Sequence, residues 1–127
     1  MLLNRKTVMI VDPSSIFRRK LKATIQTNET LVDVTGAETI DAAEDMIRNQ
    51  PPDVVFLDVG FPQEQVVRLI DAINGATGDI RLVVLAGHDA AAAQAAGLQD
   101  RADCFLPKEH AVGLRLANVI LEMIRRS

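Results

Sequence analysis

Three charged side chains stand directly after short apolar runs. Asp12 closes Val8-Met9-Ile10-Val11, Asp58 closes Val54-Val55-Phe56-Leu57, and Lys108 follows Cys104-Phe105-Leu106-Pro107. Two carboxylates and one ammonium gathered on a single rim permit a limited chemistry. Clustered carboxylates make an oxygen-rich site suited to Mg²⁺, which keeps several waters and takes one or two carboxylate ligands. A carboxylate also attacks phosphorus as a nucleophile, giving an acyl phosphate. A metal ion and a lysine would then offset charge on the phosphoryl oxygens. The chain has no Gly-rich phosphate loop, no dinucleotide fingerprint and no Ser-His-Asp arrangement, so nucleotide hydrolysis and acyl transfer are weak readings.

The elements that must position these groups follow from periodicity. Five apolar runs, Thr7–Val11, Leu31–Thr35, Val54–Leu57, Leu82–Ala86 and Cys104–Leu106, alternate with helical stretches. Most of the runs lack polar alternation, as expected of strands covered on both faces of a parallel sheet. Leu31-Val32-Asp33-Val34-Thr35 does alternate, which suits an edge. Ser14 or Ser15 is expected to cap a first helix carrying Phe17, Leu21 and Ile25 inward. Thr39 caps a second, with Ile40, Ala43, Met46 and Ile47 inward and Glu44, Asp45 and Arg48 outward. Val66, Val67, Ile70 and Ile73 mark a third, ending near Asn74-Gly75. Asp89 opens an alanine-rich fourth that stops at Gly97, and a fifth spans about His110 to Arg126. The pattern predicts an α/β domain over residues 1–127, with right-handed crossovers and helices on both faces of one sheet. In such a sheet, ligands bind beyond the carboxyl ends of the strands.

Composition narrows the class. The chain has 127 residues, 48% hydrophobic and 24% charged, which excludes disorder and suffices for one core. A single cysteine, Cys104, excludes an internal disulfide and points to a reducing compartment. No apolar run approaches a membrane span, and the start lacks the order of a signal peptide, so a cytoplasmic location is expected. A net charge of −3 without Trp or Tyr argues against a nucleic-acid surface.

Pro52-Asp53-Val54-Val55-Phe56-Leu57-Asp58-Val59-Gly60-Phe61-Pro62 resembles the third strand of response-regulator receiver domains, the family that includes the chemotaxis protein CheY. Val8-Met9-Ile10-Val11-Asp12 resembles that family's first strand, and Phe105-Leu106-Pro107-Lys108 its fifth. The resemblance covers essentially the whole chain. It implies a flavodoxin-like (βα)5 fold with strand order 2-1-3-4-5. It further implies that Asp58 accepts a phosphoryl group and that Lys108 contacts it. Asp12, Asp58 and the Gly60 carbonyl would hold Mg²⁺, with Phe105 as an aromatic switch. Two positions depart from the family pattern. Pro13 stands where a second acid is usual, so Mg²⁺ affinity is expected to be weak. Ala86 stands where a Ser or Thr hydroxyl normally meets the phosphoryl group, which weakens the implied link to Phe105.

The partner implied is a histidine kinase or a histidine phosphotransfer protein, with output through protein contacts. The competing reading is a phosphorylation-independent interaction module. A phosphatase with an aspartate nucleophile is weaker still, because a second acid usually stands where Gly60 does. Each residue also has a plainer role: Asp12 as a helix cap, Lys108 and Asp58 as solvated charges, His88 and His110 as ordinary surface histidines, Cys104 as a small core residue. The basic group Arg18, Arg19, Lys20 and Lys22 is either a solvated face or a surface that steers an acidic partner. Apolar positions of the fifth helix cover about 220° of its circumference, twice a core stripe. Leu114 and Leu121 at the edge of that arc are either scattered leucines or part of a partner or dimer surface, a homodimer forming through the fourth helix, fifth strand and fifth helix.

Overall fold

The computed structural model describes residues 5–28, 31–76, 78–87, 97, 101–110 and 113–126. Five strands form one parallel sheet: β1 (Lys6–Val11), β2 (Val32–Ala37), β3 (Val54–Asp58), β4 (Arg81–Ala86) and β5 (Cys104–Pro107). Their order is β2-β1-β3-β4-β5, as expected, with the alternating strand at one edge. The helices are α1 (Ser15–Asn28), α2 (Ile40–Asn49), α3 (Gln63–Gly75) and α4 (Gly113–Arg126). The alanine-rich helix expected over Asp89–Gly97 lies, apart from Gly97, outside the described residues, as does His88.

The period-2 geometry of a strand divides the core in two. Met9, Val11, Val55, Leu57, Val84 and Ala86 face one side and meet Ile40, Ala43 and Ile47 of α2 and Val66, Ile70 and Ile73 of α3. Val8, Ile10, Val54, Phe56, Val83 and Leu85 face the other side and meet Leu21 and Ile25 of α1 and Leu116, Ile120 and Met123 of α4. With both faces covered, β3 is buried at every position, which is why it reads as an unbroken apolar run. Leu69, not singled out by periodicity, is fully buried, whereas Val67 is half-buried.

The ends of these elements carry specific polar contacts. Ser14 Oγ accepts from the Phe17 amide at 3.2 Å, and Thr39 Oγ1 from the Ala42 amide at 3.1 Å, the caps expected of α1 and α2. At the amino edge of the sheet, Asp53 Oδ2 accepts from the Thr7 amide at 2.9 Å and Asp103 Oδ2 from the Leu82 amide at 2.7 Å. These carboxylates continue the ladder where no backbone partner remains. Strand β2 runs two residues beyond the apolar run, because Gly36 and Ala37 still pair with Ile10 and Val11. The last helix begins, in the described residues, at Gly113, after a 3-10 turn over Lys108–His110.

Candidate functional site

Asp12 and Asp58 are the two buried charged residues among those described. The ladder sets both. The Asp12 amide bonds the Ala37 carbonyl at 3.1 Å, and the Val59 amide bonds the Leu85 carbonyl at 3.1 Å, fixing the chain on either side of the sheet's carboxyl edge. Pro13 then restricts the backbone leaving Asp12. There Asp12 Oδ1 accepts from the Ser14 amide at 2.8 Å, an Asx-type turn into α1.

Lys108 closes the site from beyond β5. Its Nζ lies 2.7 Å from Asp12 Oδ2 and 3.2 Å from Asp58 Oδ1. The three groups expected from sequence therefore meet at one ammonium. Asp12 Oδ2 is buried and, this ion pair apart, receives no hydrogen bond from the described residues. Lys108 Nζ also stands 4.3 Å from the centre of the Phe17 ring, a cation–π contact. Phe17 is half-buried: it packs against the core beside Leu21 and Ile25, as helical spacing predicts, and also serves the site, a role that spacing alone gave no sign of.

Asp58 Oδ2 accepts from the Gly60 amide at 3.1 Å. A Cβ at position 60 would lie 2.8 Å from that oxygen, so glycine is what lets the backbone come this close. Burial pushes the Asp58 carboxyl above its ordinary pKa, and the Asp12 charge adds to this; Lys108 and the Gly60 amide pull the other way. Burial pulls the Lys108 ammonium down, but its bond to Asp12 and the charges of Asp58 and Asp12 outweigh this and hold its pKa above that of a free lysine.

The donor set is compatible with Mg²⁺, a hard cation that takes oxygen ligands. Two carboxylates converge, and one buried oxygen has no partner but an ammonium. Position 13 adds no oxygen, and among the described residues no third His, Cys, Asp or Glu joins the pair.

The remaining candidates fall around this centre. Ala86 is buried at the end of β4, and Phe105 is half-buried against the α2–α3 side of the core. Arg18 donates from Nη1 to the Asp12 backbone carbonyl at 2.6 Å. Arg19 and Lys22 are exposed on α1. Burial pushes the Cys104 thiol pKa up, as for an inert packing residue. Leu121 is half-buried, and the side chains of Leu114 and His110 lie outside the described residues. The large exposed apolar residues among those described are instead Ile16, 60% exposed at the start of α1, and Leu31, at 37%.

A family model described as the response regulator receiver domain matches residues 8–119. The response regulator MprA of Mycobacterium tuberculosis is 29% identical over 114 residues, covering 88% of this chain and 48% of that protein. The chain thus spans about half the length of the curated relatives it matches. Among solved structures, the signal receiver domain of a putative LuxO repressor protein from Vibrio parahaemolyticus superposes with a TM-score of 0.80 at 22% identity. That match covers 97% of this chain and 92% of the other. The REC domain of AraT, a response regulator from Geobacillus stearothermophilus, gives 0.79 at 24% identity, covering 97% and 95%.

Proposed function

The chain belongs to the response regulator receiver domain family of two-component signalling, and we propose that it takes a phosphoryl group from a histidine kinase or histidine phosphotransfer protein onto Asp58. The observation that carries this reading is the shared contact of Lys108 with Asp12 and Asp58, 2.7 and 3.2 Å away. An Asp58 oxygen attacks the phosphorus of the donor's phosphohistidine. The new P–O bond forms as the P–N bond breaks, and the electron pair leaves with the donor's imidazole. Asp58 is suited to attack because burial and the neighbouring Asp12 raise its basicity. Lys108 is suited to meet the phosphoryl oxygens because it is already held against the nucleophile. Asp12, Asp58 and the Gly60 carbonyl are the groups that would hold Mg²⁺, which when bound supplies further charge neutralisation.

The donor approaches over α1, where Arg18, Arg19 and Lys22 favour an acidic surface. The chain is a switch rather than an enzyme, at work in the cytoplasm as one receiver unit. Its output passes through protein contacts, with a homodimer over the face bearing Leu114 and Leu121 as one form. Among the described residues no helix is long and apolar enough to cross a membrane.

Acetyl phosphate with Mg²⁺ tests the reading by intact mass. A gain of one phosphoryl group, absent in Asp58→Asn, is expected. A second reading, an interaction module that works without phosphorylation, rests on Pro13 and buried Ala86, which lack the acid and hydroxyl of the family pattern. No mass gain from acetyl phosphate or from a cognate kinase would favour it.

A further inference from the structure

Helix α1 carries Arg18, Arg19, Lys20 and Lys22 and no acidic residue. That arrangement opposes helix stability. Arg18 sits in the first turn, where the helix dipole favours anions, and Arg18–Lys22 and Arg19–Lys22 are like-charge pairs at i,i+4 and i,i+3. Elsewhere, Arg5, Arg48, Arg68, Arg81 and Arg101 each face a carboxylate. Among the described residues Arg19 and Lys22 face none.

The same side chains border a concavity. Ser15, Arg18, Arg19 and Lys22 form one stripe of α1 that overlooks β2 across a cavity of about 280 Å³, and among the described residues no acidic one lines it. Its floor is the buried apolar pair Ile10 and Val34. Arg18 is fixed in place: it donates to the Asp12 carbonyl, and its stem lies over Gly36, where a Cβ would come within 3.3 Å of Arg18 Cδ.

We propose that this α1–β2 cavity binds a small phosphate-bearing anion of the diphosphate class. The stripe from Ser15 to Lys22 spans about 10 Å along the helix, within reach of one diphosphate. Arginine presents a planar fork of donors matched to phosphate oxygens, and an anion here would relieve the repulsion among the three cations. The concavity is open to solvent on one side, so a small anion can enter between Arg18, Arg19 and Lys22, whereas an acidic partner surface meets the same cations from outside. The acid pocket is a poor competitor, since Asp12, Asp58 and Lys108 together carry net negative charge. The site stands independently of phosphorylation at Asp58.

Inorganic pyrophosphate is the probe, titrated without Mg²⁺ into ¹⁵N-labelled full chain, beside NaCl at matched ionic strength. Saturable one-site shifts at the Ser15, Thr35 and Gly36 amides are expected, retained in Asp58→Asn. The double variant Arg19→Ala/Lys22→Ala should weaken binding at least tenfold while melting no lower than wild type, since it removes repulsion. Gly36→Ala, which displaces Arg18, should also weaken it. Shifts that merely follow ionic strength, or that centre on Val59 and Gly60, would overturn the proposal. So would saturation of the same stripe by a Glu-rich peptide but not by pyrophosphate, which would make it a protein-docking face.

Discussion

The ammonium of Lys108 stands 4.3 Å from the centre of the Phe17 ring while its Nζ bridges Asp12 and Asp58. One ammonium thus contacts two carboxylates and an aromatic ring. Helix α1 thereby helps to hold a group supplied from beyond β5.

That contact predicts a measurable coupling. Phe17→Leu should lower stability, and part of the loss should vanish in a Lys108→Met background. The coupling expected from a double-mutant cycle in urea is about 0.5–1 kcal/mol, that of a partly desolvated cation–π pair. Strictly additive losses would remove the interaction from the account.

Asp58 predicts a pH dependence of folding. Burial, helped by Asp12 and opposed by Lys108, raises the folded carboxyl above its unfolded value. The folded chain therefore binds more protons between those two values, and stability falls as pH rises through that window. Asp58→Asn removes this loss, so the wild-type urea midpoint should decline relative to the variant from about pH 4 upward. Lys108 changes in the same direction with pH, but in an alkaline window. Its raised pKa stabilises below the ordinary lysine value, and that stabilisation is lost as pH rises above about 10. Parallel profiles of wild type and Asp58→Asn near pH 4 would contradict the first assignment, and parallel profiles of wild type and Lys108→Met above about pH 10 the second.

Gly60→Ala tests the close approach of backbone to nucleophile. A Cβ 2.8 Å from Asp58 Oδ2 must displace the carboxylate or its own chain. The expected cost is about 1–3 kcal/mol of stability. Phosphorylation by acetyl phosphate should slow at least about tenfold, since roughly 1.4 kcal/mol of misplacement suffices for that. Wild-type kinetics in this variant would mean that the pocket yields freely.

Pro13→Asp restores an acid beside Asp12. A third oxygen ligand should tighten Mg²⁺ by about tenfold or more, roughly 1.4 kcal/mol. Calorimetric titration of both proteins gives the comparison. Equal affinities would indicate that position 13 does not face the metal.

Asp53→Ala separates scaffold from site. It removes the acceptor of the Thr7 amide at the opposite edge of the sheet, at a cost of about 1–2 kcal/mol. Phosphorylation at a temperature well below the melting transition should be unchanged. A parallel loss of phosphorylation would tie the two edges of the sheet together.

The order of elements, the edge position of β2, the buried course of β3 and the arrival of Asp12, Asp58 and Lys108 at one edge were legible in the sequence. Each rests on a local period of 2 or 3.6 residues, combined with a family resemblance for the strand order. Local periodicity says which face or end a residue occupies, but not what it meets there. Only the tertiary structure brought Lys108 between two carboxylates, 96 and 50 positions earlier in the chain, and gave Phe17, which packs against the core as expected, a second role as a support for that cation. It also set Arg18 against the Asp12 carbonyl and over Gly36, and left Ile16 exposed. These contacts depend on how far each crossover places a helix along the sheet, a distance of a few ångströms that packing of the two core faces decides and no short window of sequence encodes.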